Sequence, residues 1–160
     1  MNKLIILTGI FLTVLTSCEK NNEKTLIAGN INIMYTDSIG QDLLDSNTTN
    51  FIRESDIDVY YLINGKSERV YNTEMALGII YKIDTTNNKE TRFLWLVCNT
   101  HFVNNTTITY IKIKEDMDTI KCQYRIFDNG YDIEKVWYNN VEQTTKYGMP
   151  FDFDFIVITK

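Results

Sequence analysis

Several residue types on which active sites depend are scarce in this chain. Its 160 residues include one histidine, one proline and three cysteines. Histidine is the side chain that most often serves general acid–base catalysis, so a single copy leaves few routes to that chemistry. The sequence also lacks Gly-x-Ser-x-Gly, His-Glu-x-x-His and glycine-rich phosphate-loop motifs, which mark common hydrolases, metalloproteases and nucleotide-binding proteins. We therefore expect no catalytic residue, cofactor or metal site, and predict that the protein is not an enzyme.

Positive charge and long apolar runs are also in short supply. The chain has 16 Lys and Arg against 21 Asp and Glu, which gives a formal net charge of −5. Nucleic-acid binding relies on basic side chains that neutralise phosphates, so this charge argues against a nucleic-acid partner. The longest apolar run, residues 4–15, is shorter than the roughly 20 residues that a membrane-spanning helix needs.

That short apolar run is part of the most informative motif in the chain. Lys3 precedes it, and Leu15-Thr16-Ser17-Cys18 ends it, in the order typical of a secretory signal peptide. The four-residue segment resembles the lipobox, at which bacterial lipoproteins are cleaved and acylated on the cysteine. We predict that residues 1–17 are a signal peptide that is removed, and that Cys18 is lipidated and anchors the protein to a membrane.

A short polar tether is predicted to follow the anchor. Residues 18–24 comprise Cys18 and six charged or amide side chains, Glu19 to Lys24, with no apolar residue among the six. Such a composition does not favour a packed structure. Fully extended, the six residues reach about 20 Å, so we expect the domain to lie close to its membrane.

Residues 25–160 are expected to form one all-β domain. Apolar and polar residues alternate in about nine runs, which are rich in β-branched and aromatic side chains. Asn64-Gly65 separates two such runs and is the strongest short hairpin signal. The pattern predicts a single antiparallel β-sandwich, immunoglobulin-like or related, with a small β-barrel as the alternative.

Two cysteines remain beyond the lipidated one. Cys98 and Cys122 each lie in an apolar run, and the oxidising cell envelope permits a bridge between them. Two interpretations stay open at this point. The pair forms a disulfide, which would stabilise the fold by roughly 3 kcal/mol, or the two thiols are buried and pack like small apolar side chains.

Aromatic residues make up 12% of the chain and indicate a binding role. Rings that face solvent on a β-sheet can contact sugars or protein partners, although rings also fill β cores. Adjacent aromatic pairs place one ring on each face of a strand. The candidate ligand-binding aromatics are Tyr61, Trp95, Trp137 and Tyr138.

Three short segments suggest modification. Ser38, Thr85 and Thr119 each follow an aspartate directly, and Asp37-Ser38-Ile39 and Asp118-Thr119-Ile120 resemble the signal at which Bacteroidota attach O-glycans to envelope proteins. Asp84-Thr85-Thr86 fits a looser version. We predict these three hydroxyls as candidate O-glycosylation sites.

As a whole, the chain resembles the small uncharacterised lipoproteins of Bacteroidota (Bacteroides type) that carry a β-sandwich domain. The resemblance rests on the lipobox, on residues 40–45 ahead of the hairpin 60–65, and on residues 118–120 before residues 135–139. It implies a lipid-anchored protein of the bacterial outer membrane, on the cell surface rather than on the periplasmic face. We expect a non-enzymatic binding module for a glycan or for an envelope or surface protein. The alternatives are a structural subunit of a surface or envelope assembly and a lipocalin-like lipid-binding barrel.

Overall fold

The structure is a computed structural model that describes residues 26–70, 79–84, 91–144, 146–147 and 154–160. Within these ranges every regular element is a strand except one 3-10 turn, Glu54–Asp56, which confirms the all-β prediction. The strands are β1 Leu26–Ala28, β2 Asn30–Thr36, β3 Ile57–Ile63, β4 Lys66–Arg69, β5 Ile79–Asp84, β6 Thr91–Val97, β7 Thr106–Ile113, β8 Asp116–Phe127, β9 Gly130–Tyr138, β10 Val141–Gln143, β11 Lys146–Tyr147 and β12 Asp154–Thr159.

The strands form two open sheets. The larger sheet, sheet A, has the order β1-β9-β8-β7-β3-β4, with β10 also paired to β9, and the smaller sheet, sheet B, has the order β11-β12-β2-β6-β5. Two packed open sheets agree with the β-sandwich prediction and not with the closed-barrel alternative. The described residues contain twelve strands, more than the nine or so expected.

The sheets are not purely antiparallel, and here the prediction was wrong for two strand pairs. β1 runs parallel to β9, and β12 runs parallel to β2. The segment from Leu26 to Thr36 is shared between the sheets. It lies along the edge of sheet A as β1, continues through Gly29, and then joins sheet B as β2.

Gly29 stands where the segment passes from one sheet to the other. A Cβ atom at this position would lie 3.3 Å from Cε2 of the Tyr131 ring and 3.7 Å from Cγ2 of Thr100. Glycine therefore permits the close approach of backbone and ring at the crossing.

The core lies between the inner faces of the two sheets. Alternate residues of β7 and β8 point inward, as a period of two requires, so that Ile111 on β7 and Ile120 on β8 are fully buried together with Leu94 and Leu96 on β6. Direct polar contacts also join the sheets: the Tyr61 hydroxyl donates to the carbonyl oxygen of Val97 at 2.9 Å.

The long strand β8 defines two ends of the domain. At one end, which we call the hairpin end, Phe127 turns through Asp128-Asn129 into Gly130 of β9, and β1 begins beside Gly130. At the other end, which we call the cavity end, β8 begins at Asp116 and β2 and β12 finish. At about 3.3 Å per residue, the two ends of β8 are about 36 Å apart.

Candidate functional site

The candidate site is a cavity of about 490 Å³ at the cavity end of the sandwich. Its buried lining is aliphatic and consists of Leu43, Ile52 and Ile113, each of which is 5–6% exposed. The remaining lining residues carry hydroxyl, amide, carboxylate or ammonium groups, and they are Asp37, Thr49, Asn50, Lys114, Asp116 and Lys160. The cavity thus has an apolar floor and a polar rim, the usual composition of a small-molecule site.

The long loop between β2 and β3 supplies two of the three floor residues, Leu43 and Ile52, and Ile113 ends β7. Backbone hydrogen bonds hold this loop in place. The Leu43 amide donates to the Tyr35 carbonyl at 2.9 Å, and the Ile52 amide donates to the Leu43 carbonyl at 2.7 Å. These two bonds fix Leu43 and Ile52 over the open end of the core. The loop therefore closes the sandwich and forms one wall of the cavity.

Aspartate side chains stabilise the turns within this loop. Oδ1 of Asp37 accepts hydrogen bonds from the amides of Ile39 and Gln41 at 2.9 and 2.8 Å. Asp42 and Asp45 bond the amides two residues further on in the same way, which is the pattern of Asx-turns. This local bonding explains how a segment without regular structure keeps a defined shape.

Asn50 and Lys114 shape the rim through their backbone conformation. Asn50 has φ 63° and Lys114 has φ 56°, in the left-handed region that few non-glycine residues adopt. The Lys114 amide donates to the Asp56 carbonyl at 2.7 Å. The β7–β8 turn is thereby joined to the β2–β3 loop, and the Lys114 side chain lies at the edge of the cavity.

A buried polar network stands beside the cavity and links the two sheets. Asp118, 2% exposed, accepts hydrogen bonds from the Tyr138 hydroxyl and from Nδ2 of Asn139, both at 2.6 Å. Nζ of Lys160 forms ion pairs with Asp118 and with Asp116. The Tyr138 hydroxyl also lies 3.5 Å from that of Tyr35.

The network determines the charge state of its members. Burial lowers the pKa of Lys160, but the hydrogen bonds from its ammonium to Asp116 and Asp118 outweigh this effect, so its pKa lies above the ordinary lysine value. Burial, with Tyr35 and Asp118 close by, raises the pKa of Tyr138 far above its usual range. At neutral pH the lysine is therefore a cation and the tyrosine is a neutral hydrogen-bond donor.

The four aromatic residues predicted to bind a ligand do not form one groove. Tyr61 packs against the core, and Tyr138 is 6% exposed and bonded to Asp118, so both rings serve the interior. Trp95 alternates with fully buried leucines and lies on the outer face of sheet B. Trp137 lies on the outer face of sheet A, where Nζ of Lys121 is 4.0 Å from the centre of its ring.

Strand parity explains why Tyr61 faces inward. Val59 is 4% exposed and two residues before Tyr61 on β3, so both side chains share the inner face. Tyr60 consequently lies on the outer face, directly opposite Tyr110 on β7. The aspartate at position 58, a residue type that avoids cores, was the sequence signal that could have identified the outer face.

The structure brings the two predicted partner cysteines together. The Sγ atoms of Cys98 and Cys122 are 3.6 Å apart, and both thiols are buried and free. Cys98 follows β6 of sheet B and Cys122 lies on β8 of sheet A, so the pair joins the sheets. Contact with Cys122 and burial raise the pKa of the Cys98 thiol well above its usual value.

The predicted modification sites differ in accessibility. Ser38 is exposed in the loop beside the cavity, next to Asp37 of the rim. Thr119 is half-buried on β8 and follows the buried Asp118. Thr85 lies outside the described residues, as do Cys18 and the predicted signal peptide and tether, residues 1–24.

Candidate metal ligands are scattered in the part of the chain that the structure describes. No group of three or more His, Cys, Asp and Glu side chains is placed there to hold a metal ion. His101 is exposed, and its Nδ1 lies 3.1 Å from Oδ1 of Asn99. Across the same residues, no helix has the length and apolarity to span a bilayer.

Sequence reasoning missed the cavity itself. Its lining comes from positions as distant as Asp37 and Lys160, and no local motif joins them. Comparison with protein-family models, with curated proteins and with solved structures finds no match for this chain. The site therefore has to be interpreted from its own chemistry.

Proposed function

We propose that this chain is a lipoprotein of the bacterial outer membrane that binds a glycan in the cavity at the cavity end of its β-sandwich. The observation that carries the proposal is the composition and position of that cavity. It combines aliphatic and polar lining, and it lies about 36 Å along β8 from the end at which the chain enters the domain.

The lining matches the chemistry of a sugar ring. A pyranose presents hydroxyl groups around its edge and C–H groups on its faces. Carboxylates, ammonium groups and amides of the rim can accept from and donate to the hydroxyls, while Leu43, Ile52 and Ile113 offer a dry surface to the C–H face. Lys114 and Asp116 are exposed, so their charged groups can reach a ligand that enters from solvent.

The lipid anchor is supported by the lipobox-like segment that ends at Cys18. Acylation of that cysteine would attach residues 18–24 to the membrane, and the domain begins in β1 two residues later. The anchored domain then directs the hairpin end towards the bilayer and the cavity away from it. A binding module on the cell surface needs this orientation, because its ligand arrives from outside.

The binding proposal is tested on an array of bacterial and host glycans with the soluble Cys18→Ala protein. We compare Asn50→Gly with Asn140→Gly, because both asparagines are exposed and adopt positive φ, 63° and 67°, while Asn50 alone of the two lines the cavity. Loss of one hydrogen bond to the sugar should weaken retention by about tenfold for Asn50→Gly. Equal retention by the two variants, or no retained glycan at all, would contradict the proposal.

The location is tested by adding protease to intact cells that express the full chain. Degradation of the protein places it on the cell surface, and protection places it on the periplasmic side. The Cys18→Ala variant is the control for anchoring, since it should leave the membrane fraction.

A further inference from the structure

Three of the six large apolar side chains that are exposed in the described residues lie at the hairpin end, where the chain enters the domain. Val103 is 72% exposed, Ile126 is 49% exposed and Phe127 is 41% exposed. Ile126 and Phe127 end β8, and Val103 belongs to the tight turn that leads into β7. The other three, Ile39, Met117 and Val141, lie at the cavity end. Exposure alone therefore does not distinguish the hairpin end, whereas its distance from the predicted anchor does.

The end of the β8–β9 hairpin extends beyond β7. β7 pairs with β8 as far as Gln123, and the Asn105 carbonyl accepts one more bond from the amide of Tyr124 at 2.8 Å. Residues 125–127 pair with β9 alone among the described strands, and β1 flanks the other side of β9. The tip that carries Ile126 and Phe127 is therefore uncovered on the β7 side.

Polar and aromatic contacts support the tip of the hairpin. Nε of Arg125 donates to Oδ1 of Asp132 at 3.1 Å and its Nη2 donates to Oδ2, a two-point contact across the hairpin. The Arg125 guanidinium also lies 5.2 Å from the centre of the Phe127 ring. Behind the tip, Tyr131 and Tyr124 pack edge-to-face against Phe102 at 5.3 and 5.0 Å between ring centres.

The length of chain between the anchor and β1 limits what this end can contact. Eight peptide units separate Cys18 from Leu26, which at full extension span about 28 Å. Leu26 pairs with Gly130, next to the hairpin turn. If Cys18 carries the lipid, the hairpin tip is held within this distance of the bilayer surface, and an apolar group held so near meets lipid at a high effective concentration.

We infer that the β8–β9 hairpin, with Val103 beside it, inserts its apolar side chains into the interfacial region of the bilayer. This insertion orients the domain with its cavity end away from the membrane. This inference rests on the proposed lipid anchor. The occupant is the lipid surface itself: Phe127 and Ile126 enter the boundary between headgroups and acyl chains, and the Arg125 guanidinium remains at headgroup level, as amphipathic side chains do. Asp128 at the turn carries a negative charge, so the contact should depend on apolar insertion and not on attraction to anionic lipid.

Met117 provides a matched control at the opposite end of the same strand. It is 48% exposed, against 49% for Ile126. We label Ile126→Cys and Met117→Cys with an environment-sensitive fluorophore in the full acylated protein, in vesicles of phosphatidylethanolamine and phosphatidylglycerol. The native Cys98 and Cys122 are 1% and 0% exposed, so they should not take up the label.

We expect the probe at position 126 to shift its emission to the blue and to be quenched by spin-labelled lipid, while the probe at position 117 stays in water. Phe127→Ser should lower the ratio of inserted to free probe at position 126 by about tenfold. Met117→Ser is the substitution control, because it removes a similarly exposed apolar side chain from the far end of β8, and it should leave that ratio unchanged.

The remaining outcomes distinguish failure of this inference from failure of the proposed lipid anchor. Protein that fails to float with the vesicles contradicts both the lipid anchor and the insertion of the hairpin. Protein that floats but leaves the probe at position 126 in water contradicts the insertion alone. The same blue shift in the soluble Cys18→Ala protein without vesicles would mean that the tip contacts a second copy of the chain, and it would overturn the inference.

Discussion

The two ends of this sandwich are built differently. At the cavity end, charged and hydroxyl side chains surround a buried carboxylate, Asp118, and an open cavity lies beside them. At the hairpin end, three aromatic rings close the core, and Ile126 and Phe127 are exposed at the end of β8. In the function that we propose, the first end serves recognition and the second attachment, so that a single strand framework separates the two roles.

The largest loss in the free energy of unfolding should come from a substitution at Asp118, at the cavity end. Asp118→Ala leaves Nζ of Lys160 without its buried acceptor and the Tyr138 hydroxyl without its closest one, and breaking a buried ion pair costs about 3–5 kcal/mol. Chemical denaturation should show a loss of that size. Asp116→Asn is the control, because the Asp116 side chain is 66% exposed and surface pairs contribute about 1 kcal/mol or less. A loss at Asp118 no larger than that at Asp116 would mean that the network does not hold the cavity end together.

The next effect concerns Cys98 and Cys122, which lie between the two ends. Their Sγ atoms are in contact, so we expect protein produced in an oxidising compartment to carry a bridge that stabilises it by roughly 3 kcal/mol relative to the reduced form. The mass of that protein, taken without reductant, should be lower by two hydrogens. Two thiols that react with alkylating reagent in denaturant, without prior reduction, would show that the pair stays free.

A smaller loss of stability is expected at the hairpin end, where the rings of Phe102, Tyr124 and Tyr131 close the core. We call these three rings the aromatic plug. Phe102 is half-buried between Tyr124 and Tyr131, so Phe102→Ala should cost about 2 kcal/mol, less than for a fully buried ring. Thermal unfolding should register the change. Val103→Ala, at a neighbouring site that is 72% exposed, should have almost no effect. Similar losses for the two variants would contradict the distinction between plug and exposed tip.

The smallest effect is a pH dependence at Tyr61. Its hydroxyl donates to the Val97 carbonyl, so Tyr61→Phe should cost about 1 kcal/mol at neutral pH. Burial, with a lesser contribution from Cys98, raises the pKa of Tyr61 from 10.0 to about 12. Between these values the unfolded chain loses the proton while the folded protein keeps it, so stability falls as pH rises. The advantage of the wild type over Tyr61→Phe should therefore shrink from pH 10 to pH 12, and a constant difference would contradict the assignment.

The Asn64-Gly65 signal predicted its hairpin correctly. These two residues turn with φ of 51° and 78°, because asparagine and glycine tolerate the left-handed backbone that tight turns need. Asn139-Asn140 turns in the same region of backbone, with φ of 49° and 67°. The crossing at Gly29 was not predicted. Its requirement for glycine comes from Tyr131, about a hundred residues away in the sequence.

The candidate site could not be predicted for a similar reason. Lys160 meets Asp116 only because β12 and β8 have termini at the same end of two different sheets. Tyr61 was chosen one strand position from the exposed ring: Tyr61 points inward and Tyr60 outward, and a shift of one residue exchanges the faces of a strand. Alternation predicts that strands exist, whereas tertiary packing decides which face is buried.

The most direct test of the account is the mass of the N-terminal peptide of the protein isolated from the membrane fraction, because the two ends acquire different roles only if the hairpin end is anchored. We predict a peptide that begins at Cys18 and carries acyl chains, and no such peptide from the Cys18→Ala variant. A mature chain that begins elsewhere, or one whose Cys18 thiol is free, would contradict the lipid anchor and the orientation of the cavity away from the membrane.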